Sequence, residues 1–208
     1  MVKPDVLVFD MDGVLVDVRD SYRECIIAAV KRFTGQQITH ELIQQYKNRG
    51  GFNNDWLLTQ AICADHGVAV PYPEAVRVFN ALFFSEYMQR EKWLPRDGLL
   101  ARWANRYPLY IFTGRQHEEA MMTLRHFGSA AYFTDVLGDD DVARPKPAPD
   151  GLIEIQRRHS GATLLYLGDT VDDRRAAEGA EVPFVGVGPH SGAATVIDDI
   201  NQLEAVLA

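Results

Sequence analysis

The chain has 208 residues, 47% of them hydrophobic and 24% charged, enough for a sizeable core in one domain or in one core with a modest insertion. A formal net charge of −8 argues against nucleic acid as the main partner, because a phosphate backbone needs a basic surface, but it leaves room for small anions held by a few local cations. The two cysteines, Cys25 and Cys63, show no C-x-x-C spacing, and the apolar start Val6-Leu7-Val8-Phe9 is too short and too close to acids for a leader or a membrane span. The expectation is a cytoplasmic protein with reduced thiols and no membrane partner.

Val6-Leu7-Val8-Phe9 is a brief β-branched-rich run that predicts a strand buried on both faces. Residues 18 to about 90 show no strand-like run. The intervening residues 18–90 show amphipathic stretches over 21–33, 40–47, 55–66 and 73–90, punctuated by glycine and proline, and predict a helical insertion. Apolar runs then recur at Leu109-Tyr110-Ile111-Phe112, more weakly over 134–137, at Leu164-Leu165-Tyr166-Leu167 and at Phe184-Val185-Gly186-Val187. Helical stretches over 116–126, 150–159 and 171–179 lie between them. Strand alternating with helix predicts a doubly wound α/β fold with a parallel sheet, formed by residues 1–17 and 91–208 as core, with 18–90 inserted as a helical cap.

In such a sheet, ligands bind beyond the carboxyl ends of the strands. The first run is followed by Asp10-Met11-Asp12-Gly13 and the second by Thr113-Gly114-Arg115. Lys146-Pro147-Ala148-Pro149 follows the third, and Gly168-Asp169-Thr170-Val171-Asp172-Asp173 follows the fourth. Crowded carboxylates repel one another unless a cation neutralises them, and hard oxygen donors suit Mg2+. A carboxylate can attack phosphorus and so split a hydrolysis into two easier steps, while a second acid serves the leaving oxygen. A lysine offsets the charge that a transferring phosphoryl group spreads over its oxygens, and a threonine and a glycine N–H at a helix start can hold those oxygens.

The ordered set D-x-D-G, T-G, K-P-x-P and G-D-x-x-x-D resembles the haloacid dehalogenase superfamily in its phosphatase branch, phosphoglycolate-phosphatase-like (subfamily IA) with a small helical cap. Residues 1–17 and 91–188 carry the resemblance. It implies that Asp10 is the nucleophile, Asp12 the acid–base, and Thr113 with Gly114 the phosphate-binding pair. It implies further that Lys146 stabilises charge, and that Mg2+ is held by Asp10, the backbone carbonyl of Asp12, Asp169 and Asp173. Asp172 ranks below Asp173 on spacing. True dehalogenases of this fold lack an acid at the position of Asp12, so the implied substrate is a small phosphorylated metabolite. Two other readings stay open: a sugar phosphomutase of the same fold, and a catalytically silent binding module, against which the intact motif set argues.

Arg115 either touches substrate or pairs with Glu118 or Glu119. Arg49, between two cap stretches and next to Gly50-Gly51, suits an anionic substrate or a solvated turn equally. Phe79, Phe83, Phe84 and Tyr87 predict core packing, Asp139-Asp140-Asp141 a solvated loop, and the six histidines no metal role. Oligomeric state is not legible from these residues.

Overall fold

The computed structural model describes residues 3–52 and 54–207. They fold as two compact units, one made of the residues up to Asp17 together with those from Trp93 onward, the other of Val18–Lys92. In chain order the first unit opens with β1 (Val6–Phe9) and β2 (Val16–Asp17). The helical unit follows with α1 (Tyr22–Thr34), α2 (His40–Arg49), α3 (Asp55–Asp65) and α4 (Tyr72–Leu82). The chain re-enters the first unit through β3 (Lys92–Trp93) and continues as α5 (Leu99–Ala104), β4 (Leu109–Phe112), α6 (His117–His126) and β5 (Asp135–Leu137). It ends with α7 (Asp150–Arg158), β6 (Leu164–Gly168), α8 (Val171–Gly179), β7 (Phe184–Val187), β8 (Val196–Ile197) and α9 (Leu203–Leu207).

Six strands form one parallel sheet in the order β5-β4-β1-β6-β7-β8. The expected doubly wound α/β architecture is present, and the apolar run that starts the chain lies at its centre. Val8 stands opposite Tyr110 on one side and Tyr166 on the other. Because side chains alternate across a strand, β1 serves two cores. Val6 and Val8 join Tyr110, Phe112 and Tyr166 in packing with Leu152 and Ile155 of α7 and Ala176 and Ala177 of α8. Phe9 points the other way and stacks on Trp103 of α5, with ring centroids 5.6 Å apart. A strand buried on both faces cannot alternate polar and apolar, which is why all four of its residues are hydrophobic. The edge strand β8 has only two residues and an exposed Val196, too little pattern to be read from sequence.

The helical unit surrounds its own apolar cluster, which includes Tyr22, Cys25, Ile26, Ile43, Trp56, Phe79 and Phe83. Its helices start on side-chain caps where the sequence supplies them: Thr39 accepts from the Leu42 N–H, and Asn54 from the Leu57 N–H. The stretch 73–90, expected as one helix, divides. The α-helix stops at Leu82, a wider π-turn runs over Phe83–Tyr87, and a 3-10 turn over Met88–Arg90. That widened turn places the Phe83 ring 4.4 Å from Tyr22 and 6.2 Å from Phe79, so aromatic packing takes over from helical register. Among the described residues no helix is long and apolar enough to cross a membrane.

Candidate active site

Parallel pairing puts the carboxyl ends of β1, β4 and β6 side by side, and the chemistry-bearing residues follow those ends directly. Asp10 comes straight after β1 and its N–H donates to the carbonyl of Leu167 in β6 (2.8 Å). Thr113 comes straight after β4, where its N–H donates to Leu137 of β5 (3.0 Å) and its side chain is buried. Asp169 follows Gly168, the last residue of β6. Thr170 then caps α8, accepting from the Asp173 N–H while the Asp173 carboxylate accepts from the Thr170 N–H.

Lys146 sits at the centre of the buried charges. Its ammonium donates to Asp10 Oδ1 (2.8 Å), to Asp173 Oδ1 (2.6 Å) and to the Tyr166 hydroxyl (3.3 Å), so its three protons meet three acceptors. The Tyr166 hydroxyl in turn donates to Asp173 Oδ1 (2.7 Å), and Asp173 Oδ2 accepts from both the N–H and the hydroxyl of Thr170. Asp173 is therefore an anchor for the lysine as well as a member of the acidic cluster. Oxygens of Asp10, Asp169 and Asp173 all lie within 4.8 Å of one another. Asp172 is outside that cluster, buried and 3.8 Å from Arg175.

Two glycines make the close approach possible. Gly13 has φ +77°, and a Cβ there would meet Asp169 Oδ2 at 2.2 Å. At Gly168 a Cβ would meet the Cβ of Asp173 at 2.4 Å. Any larger residue at either position pushes a carboxylate out of the cluster.

The electrostatics follow from burial. Desolvation lifts Asp10 from 3.8 to about 7, helped by the Asp173 and Asp12 charges and opposed by Lys146. Desolvation works against the charge on Lys146 as well, but the Asp10 and Asp173 carboxylates outweigh it and hold the ammonium well above its ordinary range. Burial also opposes ionisation of Asp173, yet the Lys146 charge and hydrogen bonds from Lys146, Thr170 and Tyr166 bring it below the usual carboxylate value. Tyr166 is pushed well up by burial and by the neighbouring Asp173 and Asp10, so it remains a neutral donor. The Asp10, Asp169 and Asp173 carboxylates, two of them bound to the Lys146 ammonium, form a hard, oxygen-rich donor set, the kind that suits Mg2+. Such a cation would favour ionised Asp10, which burial alone disfavours.

The predicted residues divide into those brought together and those held apart. Asp10, Lys146, Asp169 and Asp173 converge. The Asp12 side chain is not in the acidic cluster; it is about one-third exposed and its Oδ1 accepts from Arg115. Arg115, expected at the substrate or on Glu118 or Glu119, is only 3% exposed and donates to Asp12; of those two glutamates, Glu118 pairs with Arg125. The acid run of 139–141, expected as a solvated loop, has Asp140 and Asp141 exposed and also makes local hydrogen bonds. Asp140 accepts from the His117 N–H (2.7 Å), and Asp141 from the Gly138 N–H (2.8 Å) with His117 Nδ1 2.9 Å away. Arg49 belongs to the helical unit, where it is exposed and its guanidinium lies 4.6 Å from the Tyr46 ring centre.

Sequence reasoning missed Tyr166 and Thr170. The available signal for Tyr166 was a lone hydroxyl inside a fully buried strand, which must find a partner. A separate groove of about 480 Å³ lies on the β5 edge of the sheet, bordered by Asp135, Arg144, Asp150, Glu154 and Arg158. Its charges pair locally, Arg144 with Asp150 and Arg158 with both Asp135 and Glu154, so it offers no cationic cradle like that of Lys146.

The haloacid dehalogenase-like hydrolase family matches this chain over residues 4–181. The chain belongs to that family. A Phytophthora nicotianae protein named "Imidazoleglycerol-phosphate dehydratase" is 33% identical over 195 residues, covering 87% of this chain and 42% of that protein. The Dickeya dadantii protein "Probable phosphatase IndB" is 29% identical over 199 residues, covering 88% of this chain and 80% of the relative. The chain thus spans less than half the length of the first of these relatives. A "predicted phosphoglycolate phosphatase" from Haemophilus somnus shares the fold with a TM-score of 0.83 at 20% identity, with the whole of both chains covered.

Proposed function

We propose that this chain is a Mg2+-dependent phosphatase that releases phosphate from small phosphomonoesters through an aspartyl-phosphate on Asp10. The observation that carries the reading is the buried Asp10 carboxylate, held 2.8 Å from the Lys146 ammonium and within reach of the oxygens of Asp169 and Asp173. A family of hydrolases and a relative named as a phosphatase support it.

In the first step a carboxylate oxygen of Asp10 forms a bond to phosphorus as the bond from phosphorus to the ester oxygen breaks. Asp12 supplies the proton to the departing oxygen. In the second step water attacks the same phosphorus, Asp12 takes the water proton, and the bond between phosphorus and Asp10 breaks. The Thr113 hydroxyl and the Gly114 N–H hold the non-bridging phosphoryl oxygens, and Lys146 offsets their growing charge. Asp10, Asp169, Asp173 and the carbonyl of Asp12 would hold Mg2+, which when bound neutralises phosphate charge and favours the ionised nucleophile. The inserted helical unit acts as the cap that selects the substrate, a role supported by its place in the chain between the first two motifs. Arg49 in that unit contributes to the selection of an anionic group.

The test is inorganic phosphate release from a panel of phosphomonoesters, with and without Mg2+, for wild type and Asp10→Asn. Turnover that needs both the cation and Asp10, with a loss of at least about a thousandfold in the variant, is the expected result. Isomerised sugar phosphate without free phosphate would replace the reading by a mutase. No turnover of any ester by folded protein in Mg2+ would replace it by a silent binding module.

A further inference from the structure

Arg115 is buried in the α/β unit, and three of its nitrogens have assigned partners. Nε donates to Asp12 Oδ1 at 2.9 Å and Nη2 donates to that same oxygen, while Nη1 donates to the Thr123 hydroxyl of α6 at 2.7 Å. Its backbone is tied as well: its N–H donates to Thr113 Oγ1 (3.3 Å), and its carbonyl accepts from the Asp139 N–H (2.8 Å). A guanidinium held this way is a rigid fork rather than a mobile surface charge. Both prongs that reach Asp12 converge on Oδ1, and no hydrogen bond from the described residues reaches Oδ2.

We propose that Arg115 is a positioning residue that fixes the Asp12 carboxyl by Oδ1 and so assigns Oδ2 as the oxygen that carries the proton. The role rests on the phosphatase reading above. A carboxylic acid accepts through its carbonyl oxygen and donates through its hydroxyl, and here the acceptor position is occupied by the arginine. In the first step the proton leaves Oδ2 for the ester oxygen as the ester bond to phosphorus breaks. In the second, Oδ2 recovers a proton from the water that displaces Asp10. Thr123 acts one contact further out by keeping the fork in place.

The experiment compares kcat/KM for an alkyl ester, glycerol 2-phosphate, with that for p-nitrophenyl phosphate in the presence of Mg2+. This ratio reports only steps up to transfer onto Asp10, so the later use of Asp12 as a base does not enter. An alkoxide needs a well-placed acid, whereas p-nitrophenolate leaves almost unaided. For Arg115→Gln the expected loss is on the order of a hundredfold on the alkyl ester and less than tenfold on the aryl ester. Arg115→Lys restores part of the alkyl activity. Thr123→Val, which keeps the guanidinium and removes one contact that holds it, shows the same skew at smaller size and decides the matter if Arg115→Gln does not fold. Equal losses on both esters, or undiminished alkyl activity in a folded variant, overturn the positioning role while leaving the phosphatase reading intact. Wild-type protein that hydrolyses neither ester overturns the phosphatase reading and this role with it.

Discussion

The helical unit Val18–Lys92 packs its interior mainly with hydrocarbon and aromatic rings, with Glu91 buried and Asp55 paired to Lys47, whereas the α/β unit gathers Asp10, Lys146 and Asp173 together in its own interior. Ion pairs such as Arg77–Glu74 and Arg90–Glu86 of the helical unit lie in solvent, where charge is inexpensive and contributes little. The pairs around Lys146 are almost wholly out of water, where desolvation offsets much of the Coulomb attraction. A fold that needed only stability would place hydrocarbon there. The buried cluster is where the proposed chemistry would take place, and the contrast can be tested by removing one charge or hydroxyl at a time.

The largest effect is expected for Lys146→Met. It leaves two carboxylates buried without their shared cation, and urea unfolding should register a loss of about 3–5 kcal/mol along with loss of turnover. Asp10→Asn should act in the opposite direction on stability, and in a pH-dependent way. The fold raises Asp10 from 3.8 to about 7, so it favours the protonated acid. That contribution is complete below the unfolded value and is lost as pH rises through about 7. Without divalent cation, the thermal midpoint of wild type should therefore fall relative to that of Asp10→Asn between pH 5 and pH 8. Added Mg2+ should close the gap by raising the wild-type midpoint more than that of the variant. A gap independent of pH would show that Asp10 does not resist ionisation.

Tyr166→Phe comes next. It removes one acceptor from Lys146 and one donor from Asp173 without changing the strand's apolar packing, and should cost about 1–3 kcal/mol in urea unfolding. Arg77→Ala, which breaks a fully solvated pair in the helical unit, should leave the urea midpoint unchanged. A large shift there would remove the distinction between the two units.

Much of this architecture was legible in the residues themselves. Val6-Leu7-Val8-Phe9, Leu109-Tyr110-Ile111-Phe112 and Phe184-Val185-Gly186-Val187 are strands at the positions that their patterning predicts, since a doubly buried parallel strand must be hydrophobic throughout. The placement of Asp10, Thr113 and Asp169 just beyond the ends of β1, β4 and β6 was also legible, because parallel strands bring their carboxyl ends to one edge whatever order they are laid in. The break of the 73–90 stretch at Leu82 was not legible, because it answers to Tyr22, some 60 residues away in the chain.

Residue types, order and spacing determined the fold class, the helical insertion and the set of charged groups able to meet, since these depend on local periodicity and on the residues placed just after each strand. Tertiary structure alone decided how the charges pair. Lys146 takes Asp10, Asp173 and Tyr166 from three different segments, Arg115 passes over its helical neighbour Glu118 for Asp12, and the exposed Asp140 of the acid run accepts from the start of α6. Pairing depends on distance and burial, and those exist only once the sheet has set its strand order and the helices have excluded solvent.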